Sequence, residues 1–94
     1  MKILAIEKEL KDIDWSIEND TLENEAQHAY QLYISGYFRE MYFNEFHNAV
    51  IILECESLEK ANELLNSLPL VKNGMIAFEL MQLNPYTGYD RIMK

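Results

Sequence analysis

Few side chains in this sequence are both reactive and set among apolar neighbours. Glu79 is the clearest. It lies in the run Met75 to Leu83, where Ile76, Phe78 and Leu80 make one apolar face and Glu79 alone interrupts Met75, Ala77, Met81 and Leu83 on the other. A carboxylate short of water favours its neutral acid and suits proton abstraction, although the same position equally fits an ion pair or hydrogen bond between two copies of the chain. Arg39, one of only two arginines, falls in a strand, where it either clamps a ligand carboxylate or neutralises a glutamate. His47 falls in a hairpin turn and is read as an acid or base near neutral pH, or as an exposed turn residue. Glu7 and Glu54 end the two most aliphatic strands, and strand ends usually meet water. His28 and Glu25, one helical turn apart, are poor evidence for a metal. No Gly-rich phosphate loop, nucleophile elbow or His-Cys cluster occurs, so the enzyme classes built on them are set aside.

The elements that position these residues are legible in the spacing of apolar positions. Lys2 to Glu7, with Ile3 to Ile6 in sequence, and Ala49 to Cys55, with no polar residue until Glu54, are continuous aliphatic runs, which is how strands in the middle of a sheet read. Ser57 offers an N-cap to a helix whose Leu58, Ala61, Leu64, Leu65 and Leu68 fall on one side, and Pro69 cannot continue it. Lys72-Asn73-Gly74 then turns the chain into the strand at Met75. Upstream, Asp20 or Thr21 caps a second helix, marked on one face by Leu22, Ala26, Ala29, Tyr30, Tyr33 and Tyr37 and ended at Gly36. An aromatic strand from Phe38 to Asn44 returns through residues 45–48 as a hairpin. Between the first strand and first helix, Lys8 to Asp20 has no sustained period. It either caps the end of the core, with a short helical turn, or forms a lid that carries Trp15 over a pocket.

These elements run βαββαβ over a single α+β domain, residues 1–94. With each helix crossing over a neighbouring strand, the two most aliphatic strands become central and the spatial order is 4-1-3-2, the ferredoxin-like split βαβ arrangement. Two helices cover only one side of such a sheet. The apolar side chains of the other side want cover, and a second copy packed sheet to sheet, giving a closed two-chain barrel, supplies it. The tail 85–94 carries Tyr86, Tyr89, Ile92 and Met93 and is expected on the sheet edge of its own chain or of the partner.

Composition narrows the partners. Sixteen acidic and eight basic residues give a net charge of −8, which argues against nucleic acid and anionic membrane surfaces. The start MKILAIEKEL lacks the features of a signal peptide and no apolar run approaches a membrane span, so a cytoplasmic protein is the default expectation. The single Cys55 lies in an apolar strand and reads as a small core residue.

Several stretches together resemble a known family. GYFREMYF from Gly36, ESLEKA from Glu56, SLPL from Ser67 and the closing FELMQLNPY are similar to the muconolactone isomerase-like family of the dimeric α+β barrel superfamily, over roughly two-thirds of the chain. The resemblance implies the ferredoxin-like fold and face-to-face dimers, sometimes assembled further. It also implies a cofactor-independent isomerase that moves a proton on a small unsaturated or aromatic acid. Such chemistry needs a base, a donor at the carbonyl and a cation for the carboxylate. Arg39 matches one of the family's basic positions and His47 lies close to one of its histidines, whereas Phe43 departs from a further basic position. The enzymatic reading makes Glu79, Arg39 and His47 catalytic, with Tyr42 and Trp15 against the substrate. The alternative is a non-catalytic module of the same fold that binds a metabolite or supports an assembly.

Overall fold

The computed structural model describes residues 1–93. Strands Lys2–Glu9 (β1), Phe38–Phe43 (β2), Ala49–Glu54 (β3) and Ile76–Leu83 (β4) form one antiparallel sheet in the order β2-β3-β1-β4. Taken from its other edge this is the expected 4-1-3-2 order, with the two aliphatic strands at the centre. Helices Asn19–Ile34 (α1), Leu58–Asn66 (α2) and Pro69–Lys72 (α3) complete a ferredoxin-like α+β domain.

The alternation of each strand sorts its side chains between two faces. Ile3, Ala5, Phe38, Ile51, Leu53 and Ile76 point toward the helices and are essentially inaccessible, and all but Ile76 share one buried cluster with Ala61, Leu65 and Leu68. Burying each of the larger side chains contributes about 1.5–3 kcal/mol. Leu4, Ile6, Val50 and Ile52 occupy the opposite face, half-buried by their strand neighbours alone, and Met81 beside them is exposed.

Helix α2 follows its sequence signal closely. The Ser57 hydroxyl accepts the Lys60 amide at 3.0 Å, and Ala61, Leu64 and Leu65 form the buried side. The structure stops α2 at Asn66, however, and begins a separate turn of helix at Pro69, whose missing N–H costs nothing at the first helical position. Gly36 and Gly74 adopt φ of 88° and 72°, the left-handed conformation that lets the chain leave α1 and α3.

Helix α1 departs from expectation in two ways. It starts at Asn19, with Glu18 as a cap residue that makes no side-chain capping bond, so Asp20 and Thr21 lie inside its first turn. Its buried side is also rotated. Ala29 is buried and Leu32 packs on the core, while Tyr30 and Tyr33 are 60% and 54% exposed. Ala29 and Leu32, and not Tyr30 or Tyr33, therefore pack on the core, while Tyr37, just beyond the helix, packs against it as expected.

The hairpin of β2 and β3 is irregular at both ends. The β2–β3 register shifts between Phe38 and Glu40, so Arg39 occupies a bulge. At the turn the Asn44 side-chain oxygen accepts the amides of Phe46 and Asn48, and His47 takes a φ of 63°. Beyond β4, Tyr86, Tyr89, Ile92 and Met93 are all exposed on this protomer. Among the described residues no helix is long and apolar enough to cross a membrane.

Candidate functional site

Because α1 presents alanines to the sheet, the two layers do not close completely. A cavity of about 400 Å³ lies between them, floored by Ile51, Ile76 and Phe78 and roofed by Leu22, Ala26 and Ala29. That volume falls within the range of small-molecule sites. Leu68 and Leu70 close one side, and Trp15, Phe43 and His47 line the rest with Met41. Two carboxylates, Glu7 and Glu25, interrupt this apolar lining.

Glu7 follows Ile3 and Ala5 in the inward row of β1. The β1–β3 pairing ends at Ile6 and Val50, so the next amide on β3, that of Ala49, has lost its ladder. Glu7 Oε1 accepts that amide at 2.9 Å. Glu25 reaches from α1 to the start of α3, where its Oε1 accepts the Leu70 amide at 3.0 Å, one of the donors that a helix start leaves unpaired. Burial pushes the Glu25 carboxyl above the usual glutamate range, the Leu70 amide opposes this, and the negative charge of Glu7 adds to it. A carboxylate held this way is a stronger proton acceptor than one in water.

Trp15 belongs to a 3₁₀ turn, Trp15–Ile17, within the aperiodic segment. Asp14 caps that turn by accepting the Ser16 amide at 3.1 Å and the Ser16 hydroxyl at 2.6 Å, and both bonds hold its carboxyl below the usual aspartate range. The indole N–H donates to Glu9 Oε1 at 3.1 Å, which ties the turn to the end of β1 while the ring lies on the cavity. The segment thus contains the helical turn and also places Trp15 on a pocket. His47 stacks on Phe43 with ring centroids 4.1 Å apart and planes inclined by 14°.

Of the five residues singled out from the sequence, the structure brings Trp15 and His47 to this cavity and leaves three elsewhere. Glu79 pairs across from Ile6, alternates with the inward Phe78, and stands exposed on the face that the helices leave open. Alternation reveals two faces but does not say which of them the helices cover. Arg39 sits in the bulge and its Nε donates to the Gly36 carbonyl at 2.5 Å. Tyr42 lies on the open face, where its hydroxyl donates to Glu40 Oε1 at 2.7 Å; that bond and the charge of Glu40 raise the phenol's pKa. No Lys or Arg lines the cavity among the described residues, so a ligand carboxylate would meet no cation there.

Glu25 is the residue that reading the sequence missed as a site. Its spacing from Leu22 and Ala29 places it on their side of the helix, a signal the brighter tyrosine pattern obscured. Its neighbour one turn on, His28, instead hydrogen-bonds Ser67 Oγ at 2.8 Å. Since that hydroxyl donates to the Leu64 carbonyl, the imidazole is the donor, and the pair ties α1 to the end of α2. No three His, Cys, Asp or Glu residues gather as metal ligands among the described residues.

No protein-family model matches the sequence, and no curated protein matches it either. Among solved structures the chain is similar to the 5-chloro-2-hydroxyhydroquinone dehydrochlorinase TftG of Burkholderia phenoliruptrix AC1100, in complex with 2,5-dihydroxybenzoquinone. The superposition has a TM-score of 0.73 and covers 94% of this chain and 98% of that one, at 13% sequence identity. At that identity the likeness establishes the α+β ferredoxin-like fold across nearly the whole chain.

Proposed function

We propose that this protein is a small-molecule enzyme of isomerase or lyase type that moves a proton on an unsaturated or aromatic compound held in the cavity, with Glu25 as the base. The observation that carries this reading is a carboxylate with raised proton affinity on a ligand-sized space lined mostly by apolar side chains. Glu25 takes a proton from a carbon beside a carbonyl, and the electron pair of that C–H bond moves into a conjugated system. The proton then returns at another carbon, which is an isomerisation, or a leaving group departs with its electron pair, which is an elimination. His47 at the Phe43 stack is placed to exchange the proton with solvent, and Trp15 covers the ring. That TftG, with the same fold, is a dehydrochlorinase holding a quinone supports a ring-sized substrate.

A homodimer belongs to the same proposal. The open face carries Leu4, Ile6, Val50, Ile52, Met81 and Leu83, and a second copy laid sheet to sheet removes them from water. The exposed tail with Tyr86 and Tyr89 is then free to reach across to the partner.

The test is deuterium exchange at ring carbons of hydroxyquinones and unsaturated lactones in D₂O, followed by proton NMR. Replacing Glu25 by Gln keeps the acceptor for the Leu70 amide and is expected to slow catalysed exchange by about 10²–10⁴-fold. Equal exchange in parent and variant removes Glu25 as base. Binding without exchange in the parent makes the chain a metabolite-binding module.

A further inference from the structure

Apart from His47, which stacks on Phe43, and the indole of Trp15, the polar side chains that line the cavity are two carboxylates. Glu7 and Glu25 are both acceptors when ionised, and each already spends Oε1 on a backbone amide that fixes its orientation. The second oxygen of each accepts no hydrogen bond among the described residues and is not fully buried, and both residues line the cavity. The one donor that Trp15 owns is committed to Glu9. The two carboxylates also belong to opposite layers, Glu7 to the sheet and Glu25 to α1, with the apolar space shared between them.

Each class of ligand fares differently in such a space. A carboxylate ligand adds a third negative charge where Glu7 is already felt at Glu25. A purely apolar ring or an ether displaces water from both free oxygens and gives them nothing in return, and buried acceptors left unpaired are costly. A single ammonium is attracted by both charges but concentrates its donors on one atom, which suits one carboxylate and leaves the opposite one without a hydrogen bond. A neutral ring with a hydroxyl at each end satisfies both oxygens and fills the apolar remainder.

Resting on the cavity as the site of the proposed function, we infer that its ligands are uncharged, ring-sized molecules with hydrogen-bond donors at two separated positions, of the dihydroxyarene class, and that Glu7 and Glu25 read those donors. A site that hydrogen-bonds a ligand hydroxyl rejects the analogue lacking it more strongly than an apolar pocket rejects a missing methylene. Selectivity therefore resides in the two glutamates, and the aliphatic and aromatic walls set size.

The experiment uses the full chain and four probes of similar size: hydroquinone, 1,4-dimethoxybenzene, benzoate and benzylamine. Each is titrated by amide NMR, with the amides of Ala29, Ile51 and Phe78 reporting occupancy of the cavity. Hydroquinone is expected to bind at least ~10-fold more tightly than 1,4-dimethoxybenzene, with benzoate weakest. Glu7→Gln and Glu25→Gln, which keep the shape and supply a donor, are each expected to shrink the hydroquinone preference severalfold. Should either variant unfold, the four probes on the parent protein decide alone. Equal binding of hydroquinone and its dimethyl ether overturns the donor assignment and leaves the cavity as a ligand site. Tightest binding of benzylamine overturns it in favour of an ammonium. No shift at the cavity amides with any ring overturns the small-molecule reading itself.

Discussion

The two faces of this sheet are built from the same alternating strands, yet they have become different surfaces. Toward the helices, Ile3, Ala5, Ile51 and Leu53 are sealed, and Glu7 and Glu25 are partly buried in the space left beside Ala26 and Ala29. Away from the helices, residues of similar character, Leu4, Ile6, Val50 and Ile52, have only strand neighbours around them, and Glu79 stands among them in solvent. Glu25 and Glu79 are thus both carboxylates set among apolar residues. What separates them is the second layer, which partly covers Glu25 and leaves Glu79 in water.

That contrast is open to direct attack. The largest effect belongs to the sealed side: Phe38→Ala is expected to cost about 3–5 kcal/mol in urea unfolding, well beyond Ile52→Ala on the open face measured as a monomer, and equal losses would mean that the two faces are equally packed. For turnover, Glu25→Gln is expected to lose activity by orders of magnitude while Glu79→Gln retains it, and the reverse result would return the chemistry to the open face. Placing a charge on that face, Ile52→Asp, is expected to halve the solution mass by light scattering with the circular dichroism spectrum unchanged, raising the dimer dissociation constant roughly 30-fold or more.

A pH experiment sharpens the electrostatic half of the comparison. The folded state raises the proton affinity of Glu25, so it binds more protons than the unfolded chain between the ordinary glutamate value of about 4.3 and the raised one. Unfolding free energy of the parent relative to Glu25→Gln is therefore expected to rise as pH falls through that window and to level off on either side. A difference that falls on acidification would mean that the native site favours the charged form. The smallest effect concerns the turn at the cavity mouth. With φ of 63° at His47, His47→Gly is expected to be more stable than His47→Ala by about 1 kcal/mol in thermal unfolding, because both lose the ring and only Ala keeps the strained backbone.

Much of this arrangement is written in local patterns. The aliphatic runs of β1 and β3 place them at the centre, Ser57 marks the start of α2, Gly36 ends α1, and the aperiodic segment announces Trp15. What sequence reading lacks is rotation and layer. Ala29 and Tyr30 are adjacent, and only packing decides that the small one turns inward and leaves a cavity. The same missing information sends attention to Glu79, whose strand is apolar on both faces, and away from Glu25, whose helix is polar around it. Pro69 reads as a stop and is also a start, because the same missing N–H serves both.

The bulge at Arg39 has a consequence for solubility. Strand β2 lies at the border of the sheet, and its outer amides and carbonyls are available to any extended chain that arrives in register. With Phe38 opposite Leu53 and Glu40 opposite Ile52, the odd residue between them breaks the regular spacing of those groups and puts a charged side chain at the break. A foreign strand meets that break before it can pair along the whole border. Growth of fibrils by edge addition is hindered on this flank.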